Sequence, residues 1–75
     1  MELTKDMIGD LFMTREGKVV CLEHWFFGGV AYPAVFVEDT NNVRRTVSGA
    51  YWELGSGPRD VIKHLTRSKY PEYYL

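Results

Sequence analysis

The ten residues 18–27, KVVCLEHWFF, constrain this chain more than any other stretch. Their β-branched and aromatic side chains favour a pleated, half-buried backbone, so the run reads as the longest strand. Successive side chains of a strand point to opposite faces. One face then carries Val20, Leu22, His24 and Phe26, and the other Val19, Cys21, Glu23, Trp25 and Phe27. Both hold large apolar groups. This predicts either a strand that bends so that its two ends bury opposite faces, or a strand covered on both sides. Gly28-Gly29 ends the run, since glycine contributes no side chain to a strand and takes tight-turn dihedrals readily.

Shorter segments repeat the pattern. A short turn over residues 3–10 leads into a strand at 8–14, and Arg15-Glu16-Gly17 supplies turn chemistry. Residues 32–38 read as a third strand, with Pro33 near its start where a missing amide donor is tolerated. After the turn cluster Asp39-Thr40-Asn41-Asn42, residues 43–48 alternate Val43, Arg45, Val47 against Arg44, Thr46, Ser48. A fifth strand is expected at 50–54, ended by Gly55-Ser56-Gly57. Pro58 then suits the first position of a helix, with Val61, Ile62 and Leu65 sharing one face. Pro71 stops that helix, leaving residues 68–75 to pack as an arm or stay mobile.

Seventy-five residues leave too little core to divide between two units, so one domain spans 1–75. The expected fold is mainly β with a short C-terminal helix, either a five-stranded SH3-like small barrel or a twisted antiparallel meander. The barrel covers about 8–54, the helix about 58–67 and the tail 68–75. Aromatic residues make up 15% of the chain, which lets few side chains bury a large area.

Cys21 is the only cysteine, so no intrachain disulfide staples the fold and the secreted disulfide-scaffold class is excluded. No apolar run approaches the roughly 20 residues of a membrane helix, and the start MELTKDMIGD is too charged for a signal sequence. A cytoplasmic location is expected. Residues 1–39 hold three Lys/Arg against seven Asp/Glu, while residues 40–75 hold six against three. The net charge of −1 therefore conceals an acidic first half and a basic second half.

Four short motifs carry a resemblance: Thr14-Arg15-Glu16-Gly17-Lys18-Val19, Tyr32-Pro33, Ser48-Gly49-Ala50-Tyr51-Trp52 and Ser56-Gly57-Pro58-Arg59-Asp60-Val61. Together they resemble small proteins encoded by bacteriophages and prophages, in which a T-R-D-G-K/R-V turn precedes a Y-P strand and a closing G-x-Y and S-P-x-D-L element. The match covers most of residues 8–65. Glu16 stands where that pattern has Asp, and Gly57 separates Ser56 from Pro58. The group is largely uncharacterised, so the resemblance implies a viral or prophage source, in a bacterial host cell, and transfers no catalytic residue.

Nothing in the spacing of reactive residues spells out a catalytic site. Cys21 and His24 have a C-x-x-H spacing, but positions i and i+3 of a strand face opposite ways and no second Cys/His pair accompanies them, so neither a metal nor a thiol nucleophile is expected. Glu38-Asp39, and Glu23 with Glu53, read as solvated carboxylates rather than an acid–base pair. The glycine pairs lack phosphate-loop spacing. No cofactor is expected.

Two surfaces remain. The aromatic set is too large to bury whole. Phe26, Phe36 and Trp52 are assigned to the core, whereas Trp25, Phe27, Tyr51, Tyr73 and Tyr74 are candidates for contact with a protein partner or a second copy of the chain. Arg59, Lys63 and Arg67 recur every fourth residue as one helical stripe and, with Arg44 and Arg45, form the alternative, a nucleic-acid-binding face. The overall charge and a pI of about 6.1 argue against that alternative. The reading is thus a non-enzymatic phage or prophage accessory protein that binds a protein, with a host factor as the candidate partner and a small nucleic-acid-binding β-barrel as the runner-up.

Overall fold

The computed structural model describes residues 1–75. After a 3-10 helix at Lys5–Met7 come five strands, β1 (Leu11–Thr14), β2 (Val19–Trp25), β3 (Ala34–Glu38), β4 (Asn41–Arg45) and β5 (Val61–Leu65), and then a second 3-10 helix at Pro71–Tyr74. The strands form one antiparallel sheet in the order β4-β3-β2-β1-β5. β1 to β4 are a meander, and β5 joins the free side of β1. β4 and β5 do not pair, so the ladder is open.

The two apolar faces of the long run are explained by a bulge. Leu22 pairs with Phe36 and His24 with Val35, leaving Glu23 extra. One extra residue switches which face the following side chains take. Val20 and Leu22 are buried before the bulge, and Trp25 packs against the core after it. The core is Leu3, Phe12, Val20, Leu22, Ala34, Phe36 and Val61, with the rings of Phe12 and Phe36 edge to face at 5.5 Å. Each buried Val, Leu or Phe side chain here, Ala34 aside, is worth about 1.5–3 kcal/mol of transfer free energy.

Three expectations need correction. Residues 58–67 are not a helix: their central part is β5. A helix this short is marginal alone, while the open edge of β1 offers a row of unpaired backbone groups. β5 takes that edge, with Val61 opposite Thr14 and Lys63 opposite Met13, so Ile62 is a bulge residue and stays exposed. Residues 50–54 are not a strand but a loop, held by side chains instead of a ladder. Asp60 Oδ1 accepts from the Tyr51 N–H at 2.9 Å, and the Tyr32 hydroxyl accepts from the Glu53 N–H at 3.1 Å. Finally, β4 starts at Asn41 and ends at Arg45, because the turn before it is only Asp39-Thr40 and the Thr46 N–H turns to the Ala50 carbonyl.

Two backbone bonds tie the segment after β4 to other parts of the chain: Leu3 N–H to the Val47 carbonyl at 2.7 Å, and Val61 N–H to the Gly49 carbonyl at 2.8 Å. Gly49 has φ 90°, and a Cβ there would lie 2.7 Å from the Val61 oxygen, so only glycine fits. The tail packs as an arm. The Tyr74 hydroxyl accepts from the Leu11 N–H at 2.8 Å and donates to the Leu65 carbonyl at 2.5 Å, bridging the adjacent ends of β1 and β5. No helix is long and apolar enough to cross a membrane.

Candidate binding groove

Alternation along β4 sorts neighbouring arginines onto opposite sides. Val43 and Arg45 are buried, whereas Asn42 and Arg44 are exposed. Tyr32, Asn42, Val43, Arg44, Tyr51 and Trp52 line a groove of about 480 Å³ beside this strand. The Arg44 guanidinium lies 4.3 Å from the centre of the Phe26 ring, and its Nε donates to the Tyr32 carbonyl at 2.9 Å. Beyond Tyr51 and Trp52 a second hollow, about 300 Å³, reaches Pro58 and Arg59. There the Arg59 guanidinium lies 4.2 Å from the centre of the Tyr51 ring. Cations over ring faces are held by the ring quadrupole, which orients both groups at the groove wall.

Arg45 does something different. Its side chain is 0% exposed, stands over the Phe36 ring at 5.0 Å, and donates from Nε and Nη2 to the Arg59 carbonyl at 3.0 and 2.7 Å. Nη2 also donates to Glu38 Oε1 at 3.2 Å. Lys18 Nζ reaches Glu38 Oε2 at 3.3 Å and Arg59 reaches it at 3.7 Å. Burial pushes the Glu38 carboxyl upward, but hydrogen bonds from Arg45 and Lys18 and the charges of Arg59 and Arg45 outweigh it and hold the group below the usual range. Asp60 behaves alike: burial raises it, while the Tyr51 and Gly57 N–H groups, then Arg15 and Arg45, bring it below its ordinary value. Burial lowers Arg45, which Glu38 partly opposes. These charges fix the start of β5 against the end of β4.

The candidates read from the sequence are therefore scattered. Of the aromatic set, Tyr51 lines the groove, Phe27 is 71% exposed in the β2–β3 loop, and Tyr73 is exposed on the terminal 3-10 helix. Trp25 is half-buried on the core, and the Tyr74 hydroxyl is spent on backbone. Of the basic set, Arg44 and Arg59 flank the groove and Arg45 lies inside the protein. Lys63 and Arg67 stand over Tyr70 and Tyr74 at 5.6 and 4.1 Å, on a strand and the turn after it, so the helical stripe does not exist. Compared with known proteins, the chain is matched by no family model, no curated protein and no solved structure.

Trp52 and Phe26, assigned to the core from the sequence, are 59% and 41% exposed, and Trp52 is the largest open ring of the groove. The signal lay in its neighbours: Trp52 sits between Gly49 and Gly55, beside Leu54, in a stretch with no alternation to bury it. Tyr32 is a second residue that strand reading alone overlooks. Its backbone carbonyl holds Arg44 while its hydroxyl holds the 50–54 loop. Cys21 and His24 lie on β2, and no three His, Cys, Asp or Glu side chains are grouped to hold a metal. Burial first, and then Glu23 and Asp10, raise the Cys21 thiol, which makes it a poor nucleophile.

Proposed function

We propose that this chain is a non-enzymatic binding module that grips a protein partner in the groove between β4 and the Tyr51-Trp52 loop. The observation that carries this reading is Trp52, which lies 59% exposed beside Tyr51, Tyr32 and Arg44. Trp, Tyr and Arg are the side chains that dominate protein interfaces, because Trp and Tyr offer a large rigid area with a polar handle and Arg a planar head with five donors. The groove lining offers ring faces, an amide and a guanidinium, and it contains no carboxylate, imidazole or thiol. Such a lining suits recognition rather than proton transfer.

The finer fold reading, an SH3-like small barrel, is supported by the sheet order, the bulge in β2, and the bonds from Leu3 to Val47 and from Val61 to Gly49. A phage or prophage source, a host factor as partner and a cytoplasmic location rest on the sequence resemblance and composition. A second reading, contact with nucleic acid, draws on Lys63, Arg67 and Lys69, which form no ion pair with a carboxylate.

The test is a pull-down of the tagged chain from bacterial lysate, with and without nuclease, run beside a Trp52→Ala, Tyr51→Ala double variant. A stoichiometric protein that survives nuclease and is lost with the double variant is expected. Identical capture by both chains overturns the groove. Loss of every captured protein after nuclease favours the second reading.

A further inference from the structure

The groove does not merely adjoin a strand; it runs along the unpaired edge of the sheet. The β3–β4 hairpin turns through only two residues, Asp39 and Thr40, so the flanking pair Glu38 and Asn41 is hydrogen-bonded and the ladder alternates from there. Phe36 with Val43, and Ala34 with Arg45, are then the hydrogen-bonded pairs. Val37 with Asn42, and Val35 with Arg44, are the wide pairs. The N–H and C=O groups of Asn42 and Arg44 accordingly point away from β3. Thr46, next in the same phase, bears this out: its N–H leaves the sheet and is taken by the Ala50 carbonyl at 2.9 Å. No turn or loop bond uses the Asn42 or Arg44 backbone groups, and β4 has no second strand neighbour.

We infer that this edge is a strand-addition site for an extended peptide that alternates apolar and acidic side chains; this rests on the groove being the binding surface. A peptide backbone supplies donors and acceptors at the spacing of Asn42 and Arg44, and its alternate side chains fall on the Tyr51 and Trp52 rings. Charge selects the acidic character. Arg44 is exposed, has no carboxylate within ion-pair distance, and spends only Nε on the Tyr32 carbonyl. Arg59, beyond Tyr51, is already paired with Glu38 at 3.7 Å, so Arg44 supplies the free cation of the edge. A second copy of the chain is the poorer occupant, since the exposed side chains of its β4 are Asn41, Asn42 and Arg44, which bring another unpaired arginine and no carboxylate. An arginine on the edge thus repels self-pairing while admitting an acidic strand.

The test uses the full chain and a displayed library of random twelve-residue peptides. The most enriched peptide is synthesised and added while amide hydrogen exchange is followed residue by residue. The Asn42 and Arg44 amides are expected to slow by about tenfold or more, with Val43 and Arg45 little changed because their amides are already paired. Arg44→Glu is expected to weaken the same peptide by about tenfold or more and to select basic peptides instead. A peptide that binds and is lost in the Trp52→Ala, Tyr51→Ala variant, yet leaves both amides unprotected, overturns strand addition and leaves the groove reading standing. An empty selection, or protection of the two amides by an oligouridine probe rather than by any peptide, overturns the inference outright. Protection by the chain alone at raised concentration, with no peptide present, would replace it with self-pairing.

Discussion

Arg44 and Arg45 are neighbours in sequence and almost identical in chemistry, yet they serve two regions that work in opposite ways. Arg45 points inward with its side chain 0% exposed, where Glu38 and the Arg59 carbonyl take Nε and Nη2, the Phe36 ring lies beneath, and Nη1 is buried without a partner. Arg44 points outward over Phe26, at the wall of a groove, with one carbonyl as its only hydrogen-bond partner. The pleat alone separates them. A buried charge has left water and holds its partners tightly because losing them is costly, whereas an exposed one retains most of its hydration and stays available to a ligand. Two arginines in a row thus divide between holding the fold and offering a contact.

The strongest way to break this contrast is the same substitution at both positions. Arg45→Met is expected to destabilise the chain by about 3 kcal/mol, the lower end of the range for breaking a buried pair, because Lys18 and Arg59 still face Glu38. Urea denaturation followed by tryptophan fluorescence checks it. A loss no larger than that of Arg44→Met would mean that the inner cluster is dispensable.

Acid should dissolve the inner region first. The folded carboxyls of Glu38 and Asp60 lie below their unfolded values of about 4. In that window the unfolded chain binds more protons, so stability is complete above the unfolded pKa and falls as pH drops through the folded one. The urea midpoint is expected to decline below about pH 4 and to decline less in Glu38→Gln. An unchanged acid slope in that variant would show that Glu38 is not held by its neighbours.

Tyr74 moves the contrast to the tail. Its hydroxyl bridges the Leu11 N–H and the Leu65 carbonyl, so Tyr74→Phe is expected to cost about 1–2 kcal/mol and to speed exchange of the Leu11 amide. A residue kept for contact with a partner would instead lose binding at unchanged stability.

How far these roles were legible depended on which interactions were local. The long run at 18–27, its break at Gly28-Gly29 and the β1 and β3 segments follow from alternation and turn chemistry, which neighbouring residues decide. Even the doubled apolar faces of β2 were readable as a bend, although nothing marked Glu23 as the extra residue. β5 was not readable. Pro58 with Val61, Ile62 and Leu65 satisfies a helical face as well as a strand, and the choice falls to the edge of β1, some fifty residues upstream. The same limit misplaced the site: Arg45 reads as exposed until Glu38 and the Arg59 carbonyl are seen around it, and Trp52 reads as core until its loop is seen to hang on Asp60 and Tyr32.

Arg44→Met should change stability least and report most on function. An exposed cation over a ring is worth about 0.5–1 kcal/mol, and the methionine stem retains part of the contact with Phe26. The denaturation midpoint should therefore move little, while capture of any partner that needs the groove falls. Met also removes the charge that keeps β4 from pairing with another copy. If Arg44→Met self-associates where the parent chain does not, by light scattering at matched concentration, the edge is open and the arginine guards it. If it stays monomeric and still captures the partner, the outer arginine is only surface, and the division of labour between the two neighbours fails on its exposed side.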